Sequence, residues 1–238
     1  MNIALIGYGK MGKAIEEIAL QNGHTIVLKI SIENTEDLTL SNLQKADVAI
    51  EFTGPESAAE NLKKCFEAGV PVVCGSTGWL KSWDEIQRVC QAKEGALVYA
   101  SNYSIGVNLF FQLNTYLAHL MREYDSYNVQ MEEIHHTQKL DAPSGTAITL
   151  AEQILESVSR KKLWVNHPSV QEAELEIIST RTDPAPGTHK VKYTSAIDDI
   201  EIIHTAHNRT GFAGGAVKAA EFIKGKKGIF SMKDVLGL

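Results

Sequence analysis

Asn2-Ile3-Ala4-Leu5-Ile6-Gly7-Tyr8-Gly9-Lys10-Met11-Gly12 is the stretch that decides the fold of this chain. Asn2 to Ile6 reads as a strand, and Met11 to Gln21 as a helix that ends at Asn22-Gly23. Between them stands G-x-G-x-x-G. The first glycine of such a loop makes a tight turn, the second lets backbone approach a pyrophosphate, and the third lets helix and strand pack closely. The N–H groups that open the helix then face the phosphate charge. A bare strand-to-helix turn can carry the same glycines. What separates the two readings is position, at the first strand of a βαβ series, so Gly7, Tyr8, Gly9, Lys10, Met11 and Gly12 are expected to cradle a dinucleotide.

Outward from this loop, short apolar runs alternate with helical periodicity, the mark of a parallel α/β sheet. Strands are expected at Thr25–Ile30, Asp47–Phe52, Val70–Cys74 and Leu97–Ala100, with helices at Glu56–Ala68 and Ser82–Lys93. Connections this short fit a doubly wound, Rossmann-type sheet. At the end of the second strand an acidic residue would bind a ribose 2′-hydroxyl, and a basic one would accept a 2′-phosphate. Lys29-Ile30-Ser31-Ile32-Glu33 places neither sign clearly.

After Ser104 the pattern changes. Val107 to Tyr124 reads as one long amphipathic helix, followed by strand-like runs at Asn128–Ile134, Leu175–Arg181, His189–Ser195 and Ile200–Ala206. One helix, Thr146–Ser159, interrupts them, and Gly214–Ile223 returns to helix. Several strands with few helices predict a second α+β domain on an open mixed or antiparallel sheet. The expected division is 1–104 plus 210–238 for the dinucleotide-binding domain and 105–209 for the other.

The 238 residues are 44% hydrophobic and 22% charged, enough for a sizeable core. A net charge of −6 without a long basic run argues against nucleic acid as a partner. No apolar run approaches the roughly 18 residues of a membrane span. Met1-Asn2-Ile3 already lies in a strand-like run, unlike a signal peptide, so a cytoplasmic protein is expected. Cys65, Cys74 and Cys90 form no CxxC pair and read as reduced core thiols. Lys226-Lys227 reads as a solvated turn.

The densest chemistry is Glu133-Ile134-His135-His136-Thr137-Gln138-Lys139-Leu140-Asp141-Ala142-Pro143-Ser144-Gly145-Thr146-Ala147. A strand ends at His135, a loop adds an imidazole and an ammonium, and Ser144 is placed to cap a new helix. Three potential cations and a helix N-terminus make a site for carboxylates. A histidine is also the side chain best suited to give up a proton near neutral pH. Adjacent histidines at a strand end are usually packing or surface residues, but here Lys139 and the Ser-Gly-Thr helix start crowd beside them. No metal site is expected: the nearby chain has no spaced carboxylate or cysteine set, and His204 and His207 would point to opposite faces of a strand.

HHTQKLDAPSGTA resembles the signature segment of the dihydrodipicolinate reductases, and the resemblance covers essentially the whole chain. Supporting stretches are Glu51–Glu56 (EFTGPE), Cys74–Gly78 (CGSTG), Ala100–Asn108 (ASNYSIGVN) and 209–216 (RTGFAGGA). The resemblance implies NADH- or NADPH-dependent reduction of 4-hydroxy-tetrahydrodipicolinate in diaminopimelate and lysine synthesis. It implies that His135 is the proton donor and that Lys139 assists it, while His136, Gly145 and Thr146 hold the carboxylates of a small dicarboxylate substrate. Phe52 and Thr53 would stand at the crevice mouth, and Gly75, Ser76 and Thr77 with Ala100, Ser101, Asn102 and Tyr103 would border the nicotinamide side. It also implies a homotetramer built through the second-domain sheet, and closure about hinges near Ser104 and Arg209. The chain departs from the family in shorter segments after the second strand and around Ser159 to Val170, and in Thr182–Thr188 (TDPAPGT), where a glycine-rich loop is usual.

Two rivals stand beside this reading. A nicotinamide-binding regulator would keep the glycine loop but has no need of His135, Lys139 and the Ser-Gly-Thr start together. A semialdehyde dehydrogenase on the same architecture would need a placed nucleophilic cysteine, and none of the three lies in the motif.

Overall fold

The computed structural model describes residues 1–208 and 210–238. In chain order the elements are β1 (Asn2–Ile6), α1 (Lys10–Gln21), β2 (Thr25–Ile30), α2 (Leu40–Leu43), β3 (Val48–Glu51), α3 (Ala58–Glu67), β4 (Val72–Cys74), α4 (Trp83–Ala92) and β5 (Ala96–Tyr99). Then follow α5 (Ile105–Met121), β6 (Asn128–His135), α6 (Gly145–Ser157), β7 (Leu163–Val165), β8 (Glu174–Arg181), β9 (Gly187–Thr194), β10 (Asp199–Ala206), α7 (Thr210–Ile223), β11 (Gly228–Phe230) and α8 (Met232–Leu236). The chain divides into two compact units, Met1–Ile105 with Thr210–Leu238, and Gly106–Arg209. The hinge expected at Arg209 lies outside the described residues.

The first unit is a six-stranded sheet in the order β11-β5-β4-β3-β1-β2, parallel throughout. Its strands are apolar on both sides because both faces are covered. Ile3, Leu5, Val48, Ile50, Val73 and Val98 pack on one face with α1 and α7 residues such as Ile15, Ala19, Ala216 and Ala220. Ala4, Ile6, Ala49, Val72, Cys74 and Leu97 turn to the other, against Leu62, Phe66, Ile86 and Cys90 of α3 and α4. This is the doubly wound Rossmann-type arrangement. Helix α7 comes so close that a Cβ on Gly215 would sit 1.7 Å from the Tyr103 carbonyl oxygen. All three cysteines are buried and unbridged.

The second unit is a five-stranded mixed sheet, β10-β9-β6-β8-β7, in which β6 pairs antiparallel with β9 and parallel with β8. Burial along β6 alternates strictly, so Val129 and Met131 face a core shared with Leu175, Ile177, Val191 and Tyr193. Helices α5 and α6 cover that face with Phe110, Phe111, Leu150 and Ile154.

Four elements have no counterpart in the sequence reading: α2, β7, β11 and α8 are three to five residues long, too short to show a period. Helix α7 also starts at Thr210, a turn before the expected Gly214. Lys226 and Lys227 lie between α7 and β11, exposed, with Lys227 Nζ 2.6 Å from Glu94.

Candidate functional site

In the first unit a cavity of about 320 Å³ opens at the C-terminal ends of β1, β3 and β4. Gly7, Gly9, Lys10 and Met11 form one wall, Phe52 and Thr53 another, and Gly75, Ser76 and Thr77 a third, with Gly54 and Pro55 closing the rim. The glycines divide the work as the motif requires. A Cβ on Gly7, where φ is +98°, would lie 2.0 Å from the Phe52 carbonyl oxygen, and one on Gly12 would lie 2.5 Å from the Gly7 oxygen. Gly9 has nothing within 4 Å of its Cβ position. The loop is thus packed shut beneath and open at Gly9, at the head of a 12-residue helix with no acidic residue in its first turn. A pyrophosphate fits there on steric and electrostatic grounds.

The other walls are braced from below. The Thr53 N–H donates to Ser76 Oγ at 2.8 Å and to the fully buried carboxylate of Glu51 at 3.2 Å. A Cβ on Gly75 would strike the Phe52 ring at 2.2 Å, so only glycine lets that ring lie flat against β4. Ala100, Ser101, Asn102 and Tyr103 do not line this cavity. Tyr103 is a core residue, 2% exposed, with its ring 5.7 Å from that of Phe52 and its hydroxyl on the carbonyl oxygens of Cys74 and Val98. Tyr8 also stands outside the lining. Its hydroxyl donates to Glu16, and Lys29 sits over its ring, 4.9 Å from the centroid. Lys29 Nζ is 2.6 Å from Glu16, while Ser31 is tied to the Asn34 side chain and Ile32 is 95% exposed. Lys29, the cation on β2, is therefore already neutralised by a carboxylate on α1.

The second unit gathers the His-Lys motif at the C-terminal end of β6. The alternation that buries Val129 and Met131 also sends Glu133 and His135 to the core face. His135 is 9% exposed, and its Nε2 lies 3.5 Å from Glu133 Oε2 and 3.3 Å from Nε2 of His189. Gly187 makes room for it, since a Cβ there would come within 2.9 Å of the His135 ring. Glu133, wholly buried, accepts from the Ser144 N–H at 3.1 Å, from Ser179 Oγ at 2.7 Å and from the Arg181 guanidinium at 2.9 Å. Burial presses its pKa upward, and the hydrogen bonds from His135, Ser144, Ser179 and Arg181 more than reverse this, holding the carboxyl well below its usual range. The carboxylate behind His135 is thus a fixed negative charge.

Ser144 caps α6, accepting from the Ala147 N–H at 3.2 Å, and Gly145 opens the helix with nothing within 4 Å of its Cβ position. Thr146 follows, half-buried. Lys139 Nζ is held bidentate by Asp141, at 2.8 and 2.9 Å. His136 is half-buried near Asp183, whose carboxyl is held below its ordinary value by hydrogen bonds from Thr137 and, to a smaller extent, by His136. The structure thus brings His135, Lys139 and the α6 start around one end of β6.

Sequence reading missed Glu133, Arg181 and His189 as members of this site. It also weighed His204 and His207 for a metal, whereas Glu133, His135 and His189 place three ligand-type atoms within 4.8 Å of one another. That trio is a poor cation site: both Glu133 oxygens are taken by donors, one of them a guanidinium. Its geometry is that of an imidazole backed by a buried carboxylate, which orients the ring.

Comparison with known proteins agrees across the chain. Residues 1–103 match the family model described as "Dihydrodipicolinate reductase, N-terminus", and residues 106–236 match "Dihydrodipicolinate reductase, C-terminus". A protein of Christiangramia forsetii named 4-hydroxy-tetrahydrodipicolinate reductase is 51% identical over 99% of this chain and 98% of its own length. One of the same name from Neisseria gonorrhoeae is 34% identical over 94% of this chain and 84% of its own. Among solved structures, a dipicolinate-bound dihydrodipicolinate reductase from Paenisporosarcina sp. TG-14 superposes with a TM-score of 0.79, covering 98% of each chain at 22% identity. That likeness is one of fold. Among the described residues no helix is long and apolar enough to cross a membrane.

Proposed function

The chain belongs to the dihydrodipicolinate reductase family, and on that premise we infer that it reduces 4-hydroxy-tetrahydrodipicolinate to tetrahydrodipicolinate with NADH or NADPH, in diaminopimelate and lysine synthesis. The observation that carries the reading is the pairing, in one chain, of a glycine cradle open at Gly9 with a buried imidazole backed by the Glu133 carboxylate. When bound, the reduced nicotinamide supplies the hydride. The chain's own residues supply orientation and charge.

Gly7 to Gly12 hold the pyrophosphate on the α1 N–H groups, and Phe52, Thr53 and Gly75 to Thr77 shape the cavity wall. His136, Lys139 and the amides of Gly145 and Thr146 take the substrate's two carboxylates. For Lys139 this means leaving Asp141, and an exposed pair of that kind holds by only about 0–1 kcal/mol. His135 delivers a proton to the ring as hydride addition builds negative charge there. Because its Nε2 is turned to Glu133 and His189, Nδ1 is the nitrogen that faces the substrate. Ala100 to Tyr103 border the nicotinamide side, and the buried ring of Tyr103 also braces Phe52.

A flat diacid such as dipicolinate, which the neighbour from Paenisporosarcina sp. TG-14 binds, suits the same clamp. On the same reading the protein is a cytoplasmic homotetramer built through the second unit's sheet. Ile203, 56% exposed on the edge strand β10, is apolar surface that such an assembly would cover.

The test is oxidation of NADH and of NADPH by purified protein, coupled to the synthase that precedes it in the pathway. A nicotinamide-binding regulator would show binding without turnover. With Lys29 neutralised by Glu16 and no acidic residue set at the end of β2, neither a 2′-hydroxyl nor a 2′-phosphate is strongly selected. The two kcat/KM values are expected within roughly a hundredfold, about 2.7 kcal/mol. A preference of several thousandfold would mean that another residue reads the ribose. In the same assay Lys139→Ala is expected to lower kcat/KM by at least about tenfold, because one substrate carboxylate loses its cation. An unchanged value would free Lys139 from the clamp.

A further inference from the structure

Glu51 ends β3, an inner strand of the first unit's sheet, and its side chain is wholly buried. The hydrogen bonds around it all run toward it. Thr53 donates to Oε1 from its N–H at 3.2 Å and also from its hydroxyl, and Asn61 Nδ2 donates to the same oxygen at 3.3 Å. Sγ of Cys74, the residue paired with Glu51 on β4, donates to Oε2 at 3.2 Å. The Thr53 hydroxyl already accepts from Ser57 Oγ at 2.9 Å and Asn61 Nδ2 at 3.3 Å, so its own hydrogen is the one directed at Glu51. The Cys74 thiol keeps its hydrogen as well, because burial and then the charge of Glu51 push its pKa up. A carboxyl group met only by donors is in its ionised, acceptor-only form.

None of these partners is a cation. Glu133, the other wholly buried carboxylate among the described residues, has the Arg181 guanidinium, whereas Glu51 has neutral donors alone. A buried charge without a counter-ion is costly, and a neutral side chain of the same shape would brace the strand end without that cost. Its place gives the charge a use. Thr53 and Ser76, which line the first-unit cavity, share the Thr53 N–H with Glu51, so the carboxylate stands one residue behind the cavity wall. In a doubly wound sheet the end of β2 meets the adenosine ribose and the loop after β1 holds the pyrophosphate. With the order β4-β3-β1-β2, the other half of a dinucleotide extends over β3 and β4, toward Thr53 and Ser76.

We propose that Glu51 is a buried counter-charge that stabilises the cationic, oxidised ring of a nicotinamide in this cavity over the neutral, reduced ring. This rests on the cavity being the cofactor's, as proposed above. A reduced nicotinamide carries no charge on its ring. When its C–H bond breaks and the hydrogen leaves with both electrons, the substrate is reduced and the oxidised ring is left with one positive charge. A fixed anion in a dry site, with no cation of its own to screen it, favours that charge as it develops. Repulsion between Glu51 and the pyrophosphate is the same in both oxidation states, so it drops out of any comparison between them. Glu51 touches neither cofactor nor substrate in this scheme and acts through its field across Thr53 and Ser76. The rival role is bracing of the wall through the Thr53 and Asn61 hydrogen bonds, which would serve both oxidation states alike.

Glu51→Gln keeps the size and an amide oxygen for Thr53 but removes the charge. The measurement is titration of the full chain with NAD⁺, NADH and ADP-ribose, which lacks the ring. In Glu51→Gln the ratio of Kd for NAD⁺ to Kd for NADH is expected to rise about threefold to thirtyfold above the parent's, the range for one unit charge acting through partly screened protein. ADP-ribose follows NADH. Glu51→Asp keeps the charge and therefore the parent ratio, even where looser bracing weakens all three ligands. Asn61→Lys leaves Glu51 in place and sets an ammonium beside it, so the ratio rises as in Glu51→Gln; should the latter not fold, Asn61→Lys decides alone. A parent-like ratio in the neutralised variant, or an equal weakening of all three ligands, overturns the counter-charge and leaves bracing as the role. A parent protein that binds neither NADH nor NAD⁺ removes the cofactor reading and the counter-charge together. A parent that binds both and turns over, beside an unchanged ratio in the variants, removes the counter-charge alone.

Discussion

His135→Gln is expected to lower kcat by about 10²–10⁴-fold while leaving the fold and cofactor affinity intact, the range lost when a positioned general acid is removed. The glutamine amide can still donate toward His189 and Glu133, so the buried carboxylate keeps its neighbours and the strand end its packing. What it cannot do is release a proton to a carbon that has just gained electron density. The cavity proposed for the cofactor is lined by first-unit residues, which the substitution does not touch. The measurement is kcat in the coupled assay beside NADH and NADPH titrations of the variant. Near-normal turnover would take the donor role from His135, while loss of cofactor binding would point to misfolding.

Much of the first unit is legible in the sequence because its signals are local. A glycine loop is written within six residues, and each parallel strand is an apolar run closed by a turn. The conformational reasons for Gly7, Gly9 and Gly12 follow from the motif, and the distances agree with them. The site in the second unit is only half legible. His135, Glu133 and Lys139 stand in one segment, but the donors that hold Glu133 and the ring that meets His135 come from β8 and β9, up to 54 residues away. The alternation of β6 was the available signal. With Val129 and Met131 inward, Glu133 and His135 must also turn inward, and a buried carboxylate demands donors. Which strands would supply those donors depends on register, and register is set by a mixed sheet whose pairing order is not written locally. Tyr103 shows the converse. The family resemblance implies that it borders the nicotinamide, and its side chain is 2% exposed in the core of the first unit.

The clamp assigned to the substrate should also distinguish two carboxylates from one. Pyridine-2,6-dicarboxylate is flat, carries two anions, and has an aromatic ring that does not readily accept hydride. It is expected to compete with substrate and to bind more tightly once cofactor occupies the first unit. Pyridine-2-carboxylate keeps the ring and loses one anion, so part of a desolvated cationic site is left unpaired. Truncating one partner of such a pair costs about 2–5 kcal/mol, and the monoacid is expected to bind more weakly by that amount. In the proposed clamp the difference arises at Lys139, His136 and the α6 start. Lys139 must give up Asp141 to engage a carboxylate, and the α6 start presents Gly145 with open space in front of it. His136 stands near Asp183. An incoming anion must therefore compete with two resident carboxylates, which a diacid does at both ends and a monoacid at one. His136→Ala should weaken the diacid more than the monoacid and so shrink the gap between them. Isothermal titration of both compounds against both proteins, with cofactor present, reads all four affinities. Equal affinity of the parent protein for monoacid and diacid would mean that the site does not read two carboxylates, and the dicarboxylate assignment would fall with it.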